Sequence, residues 1–371
     1  MHKKSQLLIV RNPWFPIVCS FIGYMILFLF QKFAMNYEFM RSDVLSYWQD
    51  SNHWQTPFNT FHVPGYPLFI ALIRGLTFNI FTPLLYMISI NIISLLLCVY
   101  FIYKIILSLD KNPTHATIGA LLFTLWPLVG LTYTISPLAD IPSMCFFLAG
   151  LYLLVSTKAL SAGFVLGLSM IIHKAIWPFV AFIVLIYLLQ KKPIITKSNI
   201  LFILLLAFPL VVLWVSGSIF HQSPAWIFSS NLDVEISSKR IFPILDGIIG
   251  TALEGGIKNV SKTLLLLLFL LIAIYSLVLS VKNHSLTMPR IISIGISIAV
   301  ITLFATLNHG EIWAAVRFSR LLIFPIVIYG IPRLEKKIPM VTQLIPCVIL
   351  FFVLFLSQFV YAWYEARVFF A

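Results

Sequence analysis

Acidic side chains are scarce in this chain, 12 Asp and Glu against 25 Lys and Arg among 371 residues. With 10% charged and 60% hydrophobic residues, it cannot be an ordinary soluble domain, where about a quarter of residues are charged. Cysteine is equally sparse. Cys19, Cys98, Cys145 and Cys347 lie far apart in apolar runs, which excludes a disulfide framework, a CxxC redox pair and a cysteine metal site. They read as small core or lipid-facing residues. P-loop, HExxH, GxSxG and DxD patterns are also missing, so nucleotide hydrolysis, zinc proteolysis, serine hydrolysis and Asp-metal nucleotide-sugar chemistry have no support. No metal, other cofactor or nucleic-acid partner is expected. Without an internal repeat, low-complexity tract or soluble segment, residues 1–371 read as a single integral membrane domain.

What the chain does have is apolar length. A mean hydropathy of +1.00 marks an all-α polytopic membrane protein with the lipid bilayer as its first partner. Crossings are expected near 14–34, 83–108, 115–135, 138–157, 200–220, 263–281, 291–307, 317–331 and 339–363. Residues 161–190 are too long for one upright crossing, since 30 helical residues extend about 45 Å against a core about 30 Å thick. His173-Lys174 and Trp177-Pro178 near its middle predict a break between segments at 161–172 and 175–189, for about 11 crossings.

Lys3, Lys4 and Arg11 before an uncleaved first span predict a cytoplasmic amino terminus. The short loop with Lys191, Lys192 and Lys197 agrees with the split. Asp110 and Glu335 then fall inside, and the remaining acids gather on the outer face. Two outer loops are large, 35–82 and 221–262. Within the first, 66–78 is apolar but too short to cross and reads as an interfacial helix anchored by Arg74.

Four constellations could carry chemistry. Asp43, in Arg41-Ser42-Asp43, is either a helix cap or ion-pair partner, or a general base held at a fixed depth above the bilayer. Asp50 competes for both roles. His62 opens a His-Val-Pro-Gly-Tyr-Pro run whose prolines and glycine make a rigid lead-in to the interfacial helix; the histidine is structural or touches a substrate. Asp140, after Ser136-Pro137, is a cap at the outer mouth of a span or a second carboxylate facing Asp43's cavity. His173 and Lys174, with Arg317 and Arg320, either snorkel separately to headgroups or converge as a phosphate clamp.

In order, these pieces resemble the GT-C superfamily of polyprenyl-phosphate-sugar glycosyltransferases, nearest to protein O-mannosyltransferases and bacterial aminoarabinose transferases (glycosyltransferase family 39-like). The resemblance is carried by the early loop acid, the Pro-Gly-Tyr-Pro turn, SPLADIPSMCFFLAGL from Ser136, AGFVLGLSMIIHKAIWP from Ala162 and RFSRLLIFP from Arg317. Phe318 stands where the family has Tyr, His173 where it usually has Arg, and no vicinal acidic pair follows Ser42. The resemblance implies a GT-C-like bundle in the inner (plasma) membrane, working on its outer, periplasmic face. It implies a sugar moved from a polyprenyl-phosphate donor to a glycan, lipid or protein acceptor by one inverting displacement. Asp43 would be the base and Asp140 the second acid of the cavity. Arg317, Arg320 and Lys174, with His173, would stabilise the phosphate released. A polysaccharide polymerase or ligase, using the second loop, and a lipid or solute transporter are the alternatives; the latter predicts paired broken helices in two similar halves.

Overall fold

The computed structural model describes residues 12–40, 42–52, 64–127, 130–191, 193, 195–222, 248, 252, 257–281, 287–306, 312–337 and 344–370. Most of those residues are helical, with no strand among them. The helices are α1 Trp14–Leu29, α2 Ser42–Asn52, α3 Gly65–Leu76, α4 Pro83–Asp110, α5 Pro113–Thr124, α6 Gly130–Ile135, α7 Asp140–Val155 and α8 Ala159–Ile172. There follow α9 Trp177–Gln190, α10 Lys197–His221, α11 Ile257–Val281, α12 Met288–Thr306, α13 Ile312–Phe318, α14 Ile331–Lys337 and α15 Leu344–Phe370.

Six helical stretches are long and apolar enough to cross a membrane: Trp14–Ala34, Pro83–Asp110, Lys197–Ile219, Thr263–Val281, Met288–Thr306 and Ala314–Lys337. A helix satisfies its own backbone, which is what hydrocarbon demands of such runs. Others are shorter, among them Asp140–Val155 and Ala159–Ile172. The expected single crossing at 115–135 is divided into α5 and α6 at Trp126-Pro127. Pro127 cannot continue the hydrogen-bond ladder. A Cβ on Gly130 would stand 2.2 Å from the Thr124 carbonyl oxygen, so the two pieces meet at a point only glycine fits.

The expected break in 161–190 falls at His173, which is extended (φ −150°, ψ 128°) between α8 and a 3-10 turn, Lys174–Ile176. The two halves part company there. α8 packs between α7 and α10, whereas α9 packs against α12.

The stretch expected as a plain span at 317–331 is longer and more distorted. α13 passes into a 3-10 turn Ser319–Leu322, then Ile323–Pro325, a π turn Ile326–Gly330 and α14. Pro325 and Pro332 each remove a donor and crowd the carbonyl four residues back, so this helix cannot stay regular.

A second, small apolar cluster sits at one end of the bundle. Val44, Tyr47, Tyr66 and Ile70 of α2 and α3 close over Met87 and Ile90 of α4, Ala139 and Ile172. Arg74 fastens the two roof helices. Its Nη1 donates to Asn52 Oδ1 at 2.5 Å, its Nε donates to Asn79 Oδ1 at 3.1 Å, and its guanidinium lies 4.3 Å from the Trp48 ring centroid.

Candidate functional site

Beneath this roof, three chain breaks converge. α7 begins at Asp140, α8 ends at His173, and α13 runs out at Arg317 into the 3-10 turn carrying Arg320. The loop before Asp140 is held by Asn91 of α4, whose Nδ2 donates to the Ser136 carbonyl at 3.1 Å, and by the Tyr66 hydroxyl donating to the Pro137 carbonyl at 3.5 Å.

Asp140 is almost fully buried and paired. Arg317 Nε donates to its Oδ1 at 3.1 Å, and His173 Nε2 stands 3.6 Å from the same oxygen. His173 Nδ1 accepts from the Ala175 N–H at 3.1 Å, so a neutral ring carries its proton on Nε2, the nitrogen facing Asp140. The ring leans on Phe318, 5.3 Å between centroids. Arg320 is fully buried. Its Nε donates to the Arg317 carbonyl at 2.8 Å and its guanidinium lies 5.1 Å from the Phe123 ring centroid.

Asp140 acts electrostatically on Arg317, His173 and Arg320 together. Two guanidiniums and a histidine thus meet around Asp140, Arg320 and Asp140 fully or almost fully buried and Arg317 and His173 partly so. Guanidinium geometry suits phosphate or carboxylate.

Neither a family model nor a curated protein sequence matches this chain. The site therefore has to be read from its own geometry. That geometry gathers Asp140, His173, Arg317 and Arg320 in one place, and leaves Lys174 exposed on the 3-10 turn beside them. His62 and Arg41 lie outside the described residues, as does nearly all of 223–256.

Asp43 is exposed in the first turn of α2, where the helix dipole favours a carboxylate. One turn on, the Tyr47 phenol is buried and its pKa is pushed well above the usual value. Burial is the main cause, with Asp140 and then Asp43 and Tyr66 adding to it and Arg317 opposing. Tyr47 thus feels both Asp43 and Asp140.

Tyr47 and Tyr66, edge to face at 4.9 Å, form the underside of the roof. Neither stood out in the sequence. The signal available was spacing: Tyr47 follows Asp43 by four residues, on the same helical face. Asn91 offered a second, an amide inside a long apolar helix. Gly65 also gains a purpose. A Cβ there would stand 2.0 Å from the Ile171 carbonyl oxygen, so the Pro-Gly-Tyr-Pro turn is seated directly on the end of α8, beside His173. Among the described residues, no three His, Cys, Asp or Glu side chains are grouped as metal ligands.

Proposed function

We propose that the chain is a glycosyltransferase of the plasma membrane, crossing it about 11 times with a cytoplasmic amino terminus. It takes a sugar from a polyprenyl-phosphate carrier and gives it to an acceptor on the outer face. Supporting this reading is one observation above all: Arg317, Arg320 and His173 gather around the buried Asp140, and Tyr47 of the helix that carries Asp43 feels that same carboxylate.

In the reaction, an acceptor hydroxyl attacks the anomeric carbon from the face opposite the phosphate. The C–O bond to phosphate breaks, its electron pair leaves on the polyprenyl phosphate, and Asp43 takes the acceptor's proton. Arg317, oriented by Asp140, stabilises the charge that grows on the leaving phosphate, with Arg320 behind it. A phosphate leaving group needs no general acid, so a single carboxylate base is enough.

The test mixes purified protein in nanodiscs with a panel of radiolabelled polyprenyl-phosphate sugars and measures carrier-dependent transfer or release. Asp43→Asn is expected to remove turnover while leaving carrier binding intact. Wild-type turnover in that variant would take Asp43 out of the reaction.

One observation favours a second reading, a lipid or solute transporter. Two interrupted segments, at His173–Ile176 and Ser319–Gly330, meet at the same buried charges, as broken helices do at transport sites. Carrier flux across proteoliposomes without transfer would decide for it.

A further inference from the structure

A second ionisable group sits at the opposite end of α4 from the roof. Ile90 lies in the roof cluster and Asp110 ends the helix, 20 residues or about 30 Å further along. There His115 is held between two carboxylates. Its Nδ1 is 2.5 Å from Asp110 Oδ2, and its Nε2 is 3.2 Å from Glu335 Oε1 of α14.

The first arm is built into a stiff corner. Lys111 takes the left-handed conformation (φ 62°) that ends α4, Asn112 Oδ1 accepts from the Thr114 N–H at 3.0 Å, and Pro113 starts α5. The second arm comes from another helix and is at ion-pair distance without the alignment of a directed hydrogen bond. Only the imidazolium can donate from both nitrogens at once. A neutral ring serves one carboxylate and turns a lone pair to the other.

Among the described residues, titratable or charged groups brought to this end include Lys104 and Lys111 on α4, Lys158 before α8, Tyr329 in the π turn with Arg290 of α12 acting on it, and Arg333, Lys336 and Lys337 on α14. α1 meets α5 at the far end, at Ser20 and Thr124, and α15 does so through Gln358 and Trp126.

Glu335 belongs to the same distorted helix as Arg317 and Arg320, 18 and 15 residues or about 27 and about 22 Å away. We propose that His115 is a proton-binding latch that fixes the Ile312–Lys337 segment, and that its release shifts Arg317 and Arg320 at the other face. With the proton lost, Asp110 keeps the ring, Glu335 faces a lone pair and a like charge, and α14 loosens. The 3-10 and π turns between the two ends are the kind of irregularity that can take up such a movement. Only the effect on ligand affinity rests on the proposed function of the Arg317 site.

Two spin-label pairs in full-length protein in nanodiscs test this, with native cysteines replaced by alanine. Lys158→Cys with Lys336→Cys reports on the latch, and Lys174→Cys with Ala314→Cys on the far end. Between about pH 5.5 and about pH 8, both distance distributions are expected to broaden and shift. His115→Gln and Glu335→Gln should each abolish the pH response of both pairs. A response that persists in either variant, or wild-type distributions unchanged with pH, overturns the latch. A response confined to the near pair overturns the coupling. Polyprenyl phosphate affinity should change on the order of 5–10-fold over the same range in the wild type and not in Glu335→Gln. A pH-independent affinity alongside a far-end shift overturns the link to binding. No binding at any pH counts against the proposed function alone and leaves the labels to decide the latch.

Discussion

The two ends of the Ile312–Lys337 segment each meet a histidine and carboxylate, but with opposite balance. At one end two guanidiniums and His173 surround the single carboxylate of Asp140. At the other, two carboxylates surround the single ring of His115. The first grouping is proposed to take an anion and the second a proton, the difference lying in which charge is doubled around the histidine–carboxylate pair.

The comparison breaks most visibly at Asp140. Asp140→Ala removes the buried carboxylate that Arg317 and His173 meet and should cost about 3 kcal/mol, read as a lower thermal unfolding midpoint, with carrier binding lost. Adding Arg317→Leu should restore part of the stability and none of the binding. Asp43→Asn should slow transfer on the order of 10²–10⁴-fold in a single-turnover assay with the unfolding midpoint unchanged, because Asp43 is exposed. Gly65→Ala pushes a methyl into the Ile171 carbonyl and should cost roughly 1–3 kcal/mol by displacing the roof, while His115 keeps its pH response in the label experiment. Smallest is Ser20→Ala, which removes a 2.7 Å bond to Thr124 remote from Asp140 and His115, for about 0.6 kcal/mol by thermal unfolding.

Much of the architecture was legible because hydrocarbon permits few solutions. Long apolar runs became helices, and a run too long for one crossing, with His-Lys in its middle, broke at His173. The convergence of His173 with Arg317 and Arg320 was one of two readings the residues left open, and Asp140 was expected to cap its helix or face Asp43's cavity and not to pair with these cations. Tyr47 was not foreseen, because its burial depends on how α2 packs against Tyr66 of α3, a tertiary contact. The 3-10 and π turns escaped notice for a similar reason. Pro325 and Pro332 signal trouble, but where the displaced carbonyls go is settled by neighbouring helices. His115 read as one more residue of an apolar span, and Asp110 and Glu335 as inner-face acids. Their meeting joins parts of the chain 220 residues apart.

The corner at His173 has a mechanical consequence. Trp177 Nε1 ties back to the Met170 carbonyl at 2.7 Å, the His173 ring receives the Ala175 N–H, and the glycine turn at 65 abuts the Ile171 backbone. A bend braced from three sides behaves as a bracket and not as a hinge. The braced corner is thus an anvil, the fixed wall against which an occupant of the space beside Asp140 is pressed.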